Sequence, residues 1–89
     1  MGEKVRIFKE FITNNAFDCP QEVKGQRIVH VDTSGDNSFI WYEFDENNPE
    51  DTFHYLIVGT GWDYFDKYQH AGTFIQAPFV WHVIVTYDL

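Results

Sequence analysis

At 89 residues the chain has room for one domain, and its formal net charge of −8 (six Lys or Arg against fourteen Asp or Glu) disfavours phosphate-driven nucleic-acid binding and anionic membrane surfaces. Its 44% hydrophobic and 19% aromatic content exclude a disordered chain. A lone cysteine, Cys19, excludes an internal disulfide and suits a reducing, cytoplasmic setting.

The opening Met1-Gly2-Glu3-Lys4 lacks the apolar run of a signal peptide, and Arg6 stands where acylation of Gly2 would want Ser or Thr. No stretch reaches the roughly 20 apolar residues that cross a bilayer. Residues 5–13 alternate, with Val5, Ile7 and Phe11 on one side and Arg6, Phe8, Glu10 and Ile12 on the other. Neither side is cleanly polar, so this strand is either covered on both faces or lies at an edge. Residues 16–25 read as irregular, punctuated by Pro20 and Gly25. A β-branched strand follows over 27–33, then a hairpin turn at Ser34-Gly35-Asp36-Asn37 and a partner strand over 38–45.

Asn47-Asn48-Pro49 closes that strand with a polar loop, and residues 52–60 form the next. Phe53, Tyr55 and Ile57 take one face of it, while His54, Leu56 and Val58 take the other. The stretch 62–69 is polar and aromatic, with space for one short helical turn. Two strands over 72–76 and 79–87, turning at Ala77-Pro78, complete the chain. The pattern predicts a single mostly β domain over 1–89. It has about six strands in a small antiparallel sheet fold, as a sandwich or a partly open barrel.

Chemistry is less sharply written. Gly59-Thr60-Gly61 at a strand end offers backbone N–H groups and a hydroxyl to an anion. It lacks the Lys-Ser/Thr ending of a P-loop, and no crossover helix follows to make a dinucleotide fold. Glycines that simply turn the chain are the plainer reading. Gly72-Thr73 repeats the pair, and the two turns are expected to converge on a polar cup rimmed by Trp62, Tyr64, Phe65 and Tyr68. The candidate ligand-binding set is therefore Thr60, Gly61, Trp62, Tyr64, Tyr68, Thr73, Trp81 and His82. Arg6, Lys9, Arg27 and Lys67 are the few cations available to pair with a phosphate. Five acids, Glu43, Asp45, Glu46, Glu50 and Asp51, form an acidic patch: a solvated loop, or a mimic of nucleic-acid phosphates.

His30, His54, His70 and His82 fall on different strands or strand edges without the short spacing of a zinc motif, so no metal or other cofactor is expected. His82 reads as a satisfied sheet histidine rather than a base. No residue arrangement requires catalysis, and the chain is expected to be a binding protein rather than an enzyme.

Ile40-Trp41, Asp45, Phe53, Val58-Gly59-Thr60-Gly61, Gly72-Thr73-Phe74 and Phe79-Val80-Trp81-His82-Val83 together resemble an uncharacterised family of small phage and prophage proteins. The resemblance covers nearly the whole chain and is most specific in its last third. It implies a phage-encoded protein in the bacterial cytoplasm, without an activity or site residues to carry over. Two functions follow as expectations. The first is an anti-defence protein that sequesters a small nucleotide-derived immune signal. The second is an acidic inhibitor that binds a host protein. A homo-oligomer is compatible with either.

Overall fold

The computed structural model describes Lys4–Asp88; Met1, Gly2 and Glu3, which carry the leader and acylation expectations, lie outside the described residues. Among the described residues seven strands form: β1 (Val5–Phe11), β2 (Gln21–Lys24), β3 (Arg27–Ser34), β4 (Asn37–Asp45), β5 (Thr52–Gly59), β6 (Gln69–Gln76) and β7 (Phe79–Thr86). They make two antiparallel sheets, β1-β4-β3 and β2-β5-β7-β6, which pack as a sandwich rather than closing into a barrel. The seventh strand is β2, within the stretch read as irregular. It is a four-residue edge strand whose one buried side chain, Val23, lies opposite Phe53. Four residues between Pro20 and Gly25 are too few to display an alternation. A 3₁₀ turn, Asn14–Phe17, leads into the same stretch, and its Ala16 is fully buried.

The core lies between the sheets. Phe53, Tyr55 and Ile57 of β5, Val83 and Val85 of β7, and Phe74 of β6 meet Val31 and Ile40 from the smaller sheet. Alternation places these side chains, but in two strands it is interrupted. In β3 the register shifts between Ile28 and His30, so Ile28 and Val31, three residues apart, both turn inward. In β6 it shifts between His70 and Gly72. Each is a β-bulge, which adds one residue and resets which face the following side chains take. The two bulged strands are packed against each other.

Gly72 sits where they come closest. A Cβ built there would lie 2.4 Å from Val31 Cγ2 and 2.7 Å from Val31 Cβ. A residue without a side chain is what permits this approach.

β1 is an edge strand, paired only with β4, and exposed along its whole length. No helix among the described residues is long and apolar enough to cross a membrane.

Candidate functional site

The cup forms on the face of the larger sheet that points away from the sandwich core. Antiparallel pairing sets Thr73 of β6 directly beside His82 of β7, with His70 beside Ile84 one step along. In a regular strand His70 and Thr73 would face opposite sides, because three is an odd number of residues. The bulge at Ala71 cancels that parity and turns both toward His82. Val58 pairs with His82 from the other side, and the chain then leaves β5 through Thr60.

That exit is a tight turn. Trp62 N–H donates to the Gly59 carbonyl at 3.1 Å, and Gly61 adopts φ 87°. Positive φ at the third position, with Thr60 in the ordinary negative range, is the type II arrangement, which favours glycine there. The turn aims the Thr60 hydroxyl back over the sheet and folds the Trp62 indole over the Gly59 backbone.

Four side chains meet as a result. Thr60 Oγ1 lies 2.8 Å from His82 Nε2. The other ring nitrogen, His82 Nδ1, lies 3.1 Å from Thr73 Oγ1 and 3.2 Å from His70 Nε2. His70 Nε2 and Thr73 Oγ1 are themselves 3.2 Å apart. The cluster borders a hollow of about 220 Å³ lined by Thr60, Gly61, Trp62, Tyr64, His70 and His82, over an apolar floor of Val58 and Ile84. A second hollow of about 480 Å³ lies across Trp62, lined by Pro78, Phe79, Val80 and Trp81. Trp62, 53% exposed, is the partition between them.

Thr60, Gly61, Trp62, Tyr64, Thr73 and His82 thus gather as the sequence suggests. Three expected members do not line the hollow: Thr73, which reaches it only through its contacts with His82 and His70, and Tyr68 and Trp81. Tyr68 is buried with Val58 and Ile84, so its ring packs beneath the loop instead of rimming it. Burial also pushes its phenol above the ordinary value. Trp81 points to the core side, where Phe17, Trp62 and Phe79 surround its ring at 4.9, 5.7 and 5.6 Å. It braces Trp62 and lines only the second hollow. Phe65, at 78% exposure, belongs to a separate surface with Lys67 and Tyr68. His70, which is absent from the candidate set read from the sequence, joins the cluster through its contact with His82. Neither spacing nor alternation signals it, because the bulge creates it.

The four cations stand elsewhere. Arg27 Nε bonds Glu43 Oε1 at 2.6 Å, and Arg6 faces Glu46 at 3.7 Å. Lys9 lies over Phe39, and Lys67 over its neighbour Tyr68. An anion in the cup would be met by hydroxyls, imidazoles and backbone, not by these side chains.

The acidic patch is also dispersed. Glu43 is spent on Arg27, and Asp45 is buried at 7% exposure. Asp45 Oδ1 accepts from the Asn47 backbone N–H and Oδ2 from the Asn48 amide, both at 2.9 Å. Asp45 therefore builds the turn into β5 and is not presented to a partner. Glu46, Glu50 and Asp51 remain on the surface.

The Asn47 N–H, then the Asn48 amide, hold the Asp45 carboxyl below its ordinary value. A depressed folded pKa contributes stability above the unfolded value, and this is lost as pH falls through the folded one. The melting temperature should therefore drop on acidification below about pH 4. Asp45→Asn should lower Tm at pH 7 and narrow the gap between pH 7 and pH 3, which thermal melts at the two pH values measure. An unchanged gap would contradict this role.

A family model described as a domain of unknown function (DUF7352) matches residues 4–89. The chain belongs to that family. No curated protein and no solved structure matches it. The family match spans every strand and both turns of the cup.

Proposed function

We propose that the chain is a non-catalytic binding protein whose cup takes a small phosphate-bearing, nucleotide-type ligand. The observation that carries this is the joined Thr60–His82–Thr73 cluster beside an exposed Trp62 face. Hydroxyls and an imidazole N–H donate to phosphate oxygens, and an indole face accepts a stacked planar base. No carboxylate belongs to the cup lining. Asp63, between Trp62 and Tyr64, lines the neighbouring hollow instead, and salt screens exposed charge over about 8 Å. The first hollow suits a phosphate and a small ring; the second, across Trp62, extends the room available to a longer ligand.

The resemblance to phage and prophage proteins supplies a setting. In a bacterial cytoplasm, such a protein would withdraw a nucleotide-derived immune signal from its receptor. Thermal shift and calorimetry against cyclic and ADP-ribose-type nucleotides test the reading. A binding nucleotide should raise Tm by several degrees at large excess. Thr60→Val and Trp62→Ala should each remove most of the shift. If no nucleotide raises Tm, the reading fails.

One observation favours a second reading, a protein-binding inhibitor. Val5, Ile7, Phe8 and Phe11 are exposed on β1, an edge strand paired on one side only, and open edges with apolar side chains invite strand pairing. In the same experiments, absence of nucleotide binding together with host-protein capture abolished by Ile7→Lys would select this reading instead.

A further inference from the structure

We propose that His70 Nε2, His82 Nδ1 and Thr73 Oγ1 form a binding site for a borderline divalent cation of the Zn²⁺ and Co²⁺ class. The three atoms make a nearly equilateral triangle with edges of 3.2, 3.1 and 3.2 Å. Ligand atoms about 2.0–2.1 Å from one cation lie about 2.9 Å apart at octahedral angles and about 3.35 Å apart at tetrahedral ones. The observed edges fall between these values.

The facing imidazole nitrogens, 3.2 Å apart, share one proton when either carries its N–H there; with both rings protonated on their far nitrogens they present two lone pairs to one point, which a cation satisfies together. The Thr73 hydroxyl hydrogen can serve only one of them. Thr60, 2.8 Å from His82 Nε2, is placed to accept the Nε2–H. In that tautomer Nδ1 is unprotonated, 3.2 Å from His70 Nε2 and 3.1 Å from Thr73 Oγ1. Ligating histidines are held in the same way, the ring N–H away from the metal being given to a fixed acceptor. Thr60 therefore supports the site from behind without touching the cation.

Among the described residues, no three of His, Cys, Asp or Glu assemble around one point. The third ligand here is a neutral hydroxyl, so binding should be weaker than in a closed structural zinc site. Both histidines also line the cup, which leaves the cation's remaining positions to water or to a ligand oxygen. The other two histidines stand apart, His30 beside Asp32 at 3.5 Å and His54 beside Glu22 at 4.0 Å.

The test is calorimetric titration of the untagged full chain with Zn²⁺, with Co²⁺ absorption as a report of coordination, both without nucleotide. One equivalent should bind, and Co²⁺ should develop visible bands of a four- or five-coordinate site. His70→Gln and His82→Gln should each weaken binding at least tenfold, and Thr60→Val by about tenfold. His30→Gln and His54→Gln should bind as the parent does. Circular dichroism confirms the fold of each variant; His70 and Thr60 are exposed, so they carry the test if His82→Gln does not fold. The proposal is overturned if no cation binds at millimolar concentration, or if binding survives His70→Gln and is lost with His30 or His54. Because no nucleotide is present, this outcome is independent of the proposed ligand.

Discussion

Replacing Phe53 with alanine is expected to cost about 3–5 kcal/mol, a large share of the about 5–15 kcal/mol typical of a domain. Phe53 is fully buried at the centre of the sandwich. Its ring meets Tyr42 of the smaller sheet edge-on at 6.0 Å and Tyr87 at 6.3 Å, and its backbone pairs with Val23. Truncation would remove the ring that joins both sheets and the short β2 edge, and well-packed strands could only partly collapse into the space. Urea unfolding, read as a fall in midpoint at unchanged slope, measures the loss. A cost below about 1 kcal/mol would place Phe53 outside the core.

Gly72→Ala is expected to destabilise by about 1–3 kcal/mol, through crowding instead of a cavity. The added methyl would overlap Val31 Cβ, an atom fixed to the backbone of β3, so no side-chain rotation relieves the clash. The sheets must separate locally or the bulge must deform. Val31→Ala removes Cγ2, the nearer of the two clashing atoms, and leaves the Cβ contact, so the double variant should recover part of the loss and be more stable than the sum of the single losses predicts. A coupling of at least about 0.5 kcal/mol from a double-mutant cycle is the expected result. Simple additivity would show that Gly72 and Val31 do not constrain each other.

The strands that form the centre of each sheet were readable because they are long and alternate cleanly. Phe53, Tyr55 and Ile57 against His54, Leu56 and Val58 settle β5 without reference to any neighbour. β2 escaped because a four-residue edge strand with one buried valine carries too few positions to show a period. Thr60, Thr73 and His82 were recognisable as a group, since turn-flanking glycines mark where strands end and polar side chains collect. Their partner His70 was not, because its orientation depends on an extra residue at Ala71 that no local pattern announces. Asp45 looked like one more surface acid. Only the fold shows that it is turned inward to accept from Asn47 and Asn48.

The bulge in β6 also separates two kinds of length change. Residues between Trp62 and Tyr68 run through an irregular loop, where an insertion or deletion alters reach but not facing. Between Gln69 and Thr73, the count of residues sets the phase of the strand relative to β7. Losing one residue there would restore an unbroken ladder, and His70 and Thr73 could no longer share a face. The length of this short interval, as much as the identity of the residues in it, specifies the cup.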